Sequence, residues 1–60
     1  MKTVIIDYEK ISPAVLASIV ERRFADSLCN WSDINEDSFE FRVYGVTDIR
    51  GLEDVLAKYV

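Results

Sequence analysis

Sixty residues allow one domain at most, so the sequence predicts a single domain over residues 1–60. Half of the residues are apolar, which is enough for a hydrophobic core, and no apolar run is long enough to cross a membrane. Eleven acidic against seven basic residues give a net charge of −4. This charge disfavours direct binding of nucleic acid, because phosphate contacts require a basic surface.

The chain begins with a predicted strand over residues 2–8, KTVIIDY, which is rich in β-branched and aromatic residues. Side chains alternate across a strand, so its apolar face is formed by Val4, Ile6 and Tyr8. The other face is mixed, which is typical of a strand that packs mainly on one side.

A helix is predicted next, because Ser12 can accept a bond from a free backbone N–H and Pro13 occupies a position that needs no donor. Apolar residues then recur at three- and four-residue spacing. They are Leu16, Ile19, Val20, Phe24 and Leu28. The spacing predicts an amphipathic helix of about four turns at ~3.6 residues per turn.

The middle of the chain predicts a hairpin. Residues 39–46, FEFRVYGV, alternate between apolar and polar side chains, as a half-buried strand does. The preceding NWSDI, residues 30–34, can form a shorter strand, with residues 35–37 as the turn.

The last stretch, residues 47–60, has apolar residues at helical spacing, and Thr47 or Asp48 can cap that helix. Gly51 inside a helix costs roughly 1 kcal/mol relative to alanine unless it lies in the first turn or allows close packing. The order is therefore β-α-β-β-α. We expect a two-layer α+β fold, with two helices on one face of a small three-stranded sheet.

The residue types disfavour an enzyme or a metal site, and no cofactor is expected. The lone Cys29 has no histidine partner, and no glycine-rich phosphate loop is present. Asp33, Asn35 and Asp37 alternate like the start of a calcium loop. However, Ser38 stands where that loop needs glycine, and Tyr44 where it needs glutamate, so an ordinary turn is the better interpretation.

Trp31 has two interpretations. It can close the edge of a small core, which needs every large apolar group, or it can be an exposed binding anchor ringed by polar residues. The acidic residues also cluster, either as a solvated surface or as a ridge that imitates DNA phosphates. These candidate partner-binding residues are Trp31, Asp33, Glu36, Asp37, Asp48, Glu53 and Asp54.

Nearly the whole chain resembles the DinI family of small DNA-damage-inducible proteins. The resemblance lies in EKISP, in the RR late in the first helix, and in VYGVTDIRGLEDVLAKY. It implies the same β-α-β-β-α order and a modulator of the RecA recombinase filament. It also implies that Asp48, Glu53 and Asp54 on the last helix face the recombinase.

The sequence therefore predicts a non-enzymatic protein that binds the basic surface of a nucleic-acid-handling protein and modulates or inhibits it. The alternative is a structural or assembly subunit, either a homodimer or part of a heteromeric complex, because a core of this size gains stability by pairing. A single thiol fits a reducing compartment, so a cytoplasmic location is expected.

Overall fold

A computed structural model describes residues 1–60 and contains five elements in the predicted order. The strands and helices are β1 (Lys2–Asp7), α1 (Pro13–Arg23), β2 (Leu28–Asp33), β3 (Ser38–Tyr44) and α2 (Ile49–Leu56). The predicted α+β fold is confirmed. Neither helix is both long enough and apolar enough to span a membrane.

The three strands form one sheet in the order β1-β3-β2, and both outer strands run antiparallel to β3. The alternation predicted for β3 is confirmed, because Phe39, Phe41 and Val43 are buried while Glu40 and Arg42 lie on the other face. β3 contributes more buried core residues than the other strands because it is the only strand with neighbours on both sides.

The core lies between one sheet face and both helices. Its nine buried residues come from β1, β3, α1 and α2. They are Ile6, Leu16, Ala17, Val20, Phe39, Phe41, Val43, Leu52 and Leu56. The predicted two-layer packing therefore follows, and the opposite sheet face is left uncovered.

The start of α1 is as predicted, since the Ser12 hydroxyl accepts from the Val15 N–H and Pro13 is the first helical residue. Its predicted extension to Leu28 is wrong, because α1 ends at Arg23 and Leu28 opens β2 opposite Tyr44. Leu28 is 71% exposed. Pairing with β3 gives the backbone from Leu28 onward its hydrogen bonds, and this non-local pairing overrides the helical spacing.

Asp48 is the N-cap of α2, and its carboxylate accepts from the Gly51 N–H at 3.0 Å. Gly51 thus lies in the first turn. Leu52, Val55 and Leu56 are buried as their spacing predicts, but Ile49 at the beginning of the helix is 43% exposed.

Candidate protein-binding surface

Trp31 lies on the outer strand β2, on the face that carries the core. It stands opposite Phe41, and the two rings stack with centroids 6.4 Å apart and planes 12° from parallel. The residue is still 40% exposed. The indole therefore closes the edge of the core, and its accessible part keeps the binding-anchor interpretation as a prediction.

Tyr8 links this edge to the far side of the sheet. It follows β1, packs against Phe39 with ring centroids 4.9 Å apart, and donates its hydroxyl to the carboxylate of Asp33 on β2. The contact fixes Asp33 beside Trp31 on the same face. Sequence reasoning missed Tyr8, because its contact crosses three strands and depends on their order.

Five carboxylates gather where the β2–β3 hairpin meets the end of β1. Asp7 stands opposite Ser38, the Tyr8 N–H donates to the Asp37 carbonyl, and Asp7, Glu9 and Asp37 line one open depression. We call this group the acidic end. Its members are Asp7, Glu9, Asp33, Glu36 and Asp37.

Asp7 and Glu9 were not among the predicted site residues. Their position beside Asp37 follows from the register between β1 and β3, which pairs Asp7 with Ser38. The one available signal was the pair of acidic residues, Asp7 and Glu9, at the end of the first apolar strand. Lys10 follows Glu9 in the chain, and its backbone N–H donates to the Asp7 carbonyl at 3.0 Å, which closes a turn.

The predicted acidic residues of α2 lie elsewhere. Glu53 forms an ion pair with Lys2 at 3.1 Å, and Lys2 is five residues from Asp7 along β1, about 17 Å at ~3.4 Å per residue. Asp48 caps α2 and Asp54 is exposed. The seven predicted residues therefore do not form one continuous surface. Trp31, Asp33, Glu36 and Asp37 belong together, and the three on α2 do not join them.

The hairpin turn holds the acidic end in place. The side-chain oxygen of Asn35 accepts from the backbone N–H groups of Asp37 at 2.8 Å and Ser38 at 2.9 Å, and from the Ser38 hydroxyl. These bonds use the amide oxygen that a calcium loop would direct at a cation. The turn thus presents Glu36 and Asp37 from a fixed backbone.

The uncovered sheet face has a polar centre. The Arg42 guanidinium donates to Asn30 at 2.6 Å, Ser32 at 2.7 Å and Glu40 at 2.8 Å, so its charge is already satisfied. Apolar side chains lie around this centre and stay exposed. They are Ile5, Leu28 and Tyr44.

Cys29 lies on the core-side face of β2, opposite Val43. Burial raises the pKa of its thiol, and the negative charge of Glu21 on α1 raises this pKa further. At neutral pH the thiol therefore stays protonated, which is the unreactive form.

Comparison with known proteins adds no assignment: no family model, curated protein or solved structure matches this chain. The similarity to the DinI family stays a prediction.

Proposed function

We propose that this protein is a non-enzymatic, cytoplasmic binding protein that modulates or inhibits a nucleic-acid-handling protein. The observation that supports this most is the acidic end, where Asp7, Glu9 and Asp37 line one depression. On β2 of the same hairpin, Asp33 and the partly exposed Trp31 share one sheet face. If the DinI resemblance holds, the partner is a RecA-like recombinase.

The carboxylates and Trp31 have different roles in binding. Carboxylates speed the approach to a basic surface and select for it, and they can occupy the positions that DNA phosphates take on the partner. Trp31 supplies the apolar contact area that residues at binding hot spots usually provide. Because Tyr8 and Phe41 hold Asp33 and Trp31 in place, little conformational entropy is lost on binding.

The structure offers two double variants with the same loss of charge. Glu36→Gln/Asp37→Asn removes two charges from the acidic end, and Glu53→Gln/Asp54→Asn removes two from α2. The tagged protein and both variants are tested against purified RecA filaments by interferometry, and against bacterial lysate with mass spectrometry. We expect the acidic-end variant to bind at least about tenfold more weakly, and the α2 variant to lose less than about threefold.

The test also measures how binding depends on the salt concentration and on Trp31. Raising the salt from about 50 mM to about 500 mM shortens the Debye length to less than half, so it should weaken binding strongly. Trp31→Ala should speed dissociation. Binding that ignores salt, or that depends on α2 and not on the acidic end, would count against the proposal.

A second candidate is a structural or assembly subunit that forms a homodimer or joins a heteromeric complex. Its supporting observations are the free edge of β2 and the exposed Ile5, Leu28 and Tyr44 on the uncovered face. An unprotected edge strand can accept another strand, and exposed apolar side chains near it add contact area. Sedimentation velocity between about 1 µM and about 1 mM tests it, because assembly follows mass action.

A further inference from the structure

We infer that β2 pairs antiparallel with β2 of a second copy of this chain, giving a continuous six-stranded sheet with all four helices on one side. This inference rests on the second proposed function, self-association, and specifies its surface and register.

The backbone groups at the free edge follow from the hairpin. The Ile34 N–H donates to the Ser38 carbonyl, and in an antiparallel ladder the residues that bond inward alternate with those that point outward. Leu28, Asn30 and Ser32 therefore bond to β3. The N–H and C=O groups of Cys29, Trp31 and Asp33 point away from the sheet, and nothing in the chain pairs with them.

β2 lacks the features that normally protect such an edge. It has no lysine, arginine, proline or bulge, and its single charge, Asp33, stands at its end. The other outer strand, β1, has charged residues at both ends, and its Lys2 pairs with Glu53 of α2. β2 is therefore the more open edge for another strand.

Only certain registers are compatible with these outward groups. Each residue whose backbone groups point outward must face such a residue of the second copy. One register that meets this condition places Trp31 opposite Trp31 at a twofold axis. Cys29 of each copy then faces Asp33 of the other. This register places Leu28 opposite Ile34. These side chains are 71% and 49% exposed in the single chain, and they would meet on the uncovered face as a closely spaced pair.

The antiparallel arrangement also separates the two acidic ends. Each hairpin would lie beside the turn that joins α1 to β2 of the other copy, because that turn leads into Leu28. The last turn of α1 carries Arg22 and Arg23, which attract Glu36 and Asp37, while Glu21 and Asp26 nearby partly offset this.

The first test combines sedimentation velocity with tryptophan fluorescence over about 1 µM to about 1 mM. We expect a monomer–dimer equilibrium and a blue shift of Trp31 emission with the same midpoint. Leu28→Lys should raise the dissociation constant at least about tenfold, because it sets a charge against Ile34. The matched control Ile5→Lys, at the other edge of the sheet, should change it less than about twofold.

The second test checks the register by cross-linking. Facing residues in a hydrogen-bonded pair have Cα atoms about 5.5 Å apart, within disulfide range. Asp33→Cys should therefore form a disulfide-linked dimer with the native Cys29 of the other copy under mild oxidation. Four residues apart on one strand, these two cannot bond within a chain. Ile34→Cys points to the other face and should cross-link far less.

The outcomes separate the inference from the function on which it rests. A chain that stays monomeric at about 1 mM would overturn both the β2 pairing and the homodimer form of the second candidate function. A dimer that Ile5→Lys dissociates and Leu28→Lys does not, or one in which Ile34→Cys cross-links better than Asp33→Cys, would overturn the β2 pairing but leave self-association standing.

Discussion

Gly51 and Asp48 show at the residue scale how one position constrains another. The Asp48 carboxylate caps α2 by accepting from the Gly51 N–H, and a Cβ on residue 51 would collide with that carboxylate. A larger residue at position 51 would make the Asp48 carboxylate turn away from its present position. Gly51 lowers the helix propensity of this turn, and it also leaves room for the Asp48 carboxylate.

This coupling is testable with a double-mutant cycle. Asp48→Ala should lower the free energy of unfolding by about 1 kcal/mol through loss of the cap. Gly51→Ala should be nearly neutral alone, because a propensity gain of about 1 kcal/mol is offset by displacement of the cap. In the Asp48→Ala background it should stabilise by about 1 kcal/mol. Urea denaturation measures all four proteins, and additive effects would contradict the proposed contact.

Gly45 is constrained by its backbone. Its φ is +82°, and an added Cβ would lie 2.8 Å from the backbone oxygen of Asp26. This is where the chain leaves β3 and passes the turn between α1 and β2. A side chain here would strain the backbone and force two segments apart, so only glycine fits.

At the scale of elements, the β2–β3 hairpin depends on Asn35. Asn35→Ala removes the acceptor of three hydrogen bonds in the turn, two of them from backbone N–H groups. We expect a loss of about 1–2 kcal/mol in the free energy of unfolding. Glu36→Ala in the same turn is the control, with an expected change within about 0.5 kcal/mol. Equal losses in the two variants would show that the turn does not depend on the Asn35 side chain.

For the whole molecule, the acidic end brings like charges together and should cost stability. Asp37→Asn relieves repulsion from Asp7 and Glu9, so we expect its melting temperature to rise by about 2 °C at low salt. The gain should shrink as salt screens the charges. Asp54→Asn removes the same charge from α2 and is the control. A larger gain for Asp54→Asn would mean that the five carboxylates do not repel one another appreciably.

Much of the fold could be predicted from local patterns. Three features depend only on a few neighbouring residues, and each is confirmed. They are the alternation of β3, the Ser12–Pro13 start of α1 and the Asp48 cap. The end of α1 was predicted wrongly because Leu28 continues a helical spacing. A competing strand pairing decides that boundary, and its partner Tyr44 is sixteen residues away.

The candidate surface also has a part that local sequence predicts and a part that depends on tertiary structure. Trp31 and the acidic hairpin were predictable, since residue type and turn chemistry are local. The separation of Glu53 from the acidic end, and the addition of Asp7 and Glu9, depend on strand order and register.

The sequence by itself determined the element order, the apolar faces of β1 and β3 and the net charge, because periodicity and composition are properties of neighbouring residues. Only the tertiary structure decided which carboxylates share a surface, that Trp31 is half covered by Phe41, and that β2 has a free edge. The physical reason is that β-sheet pairing joins distant segments, so its register is set by the packing of the whole chain.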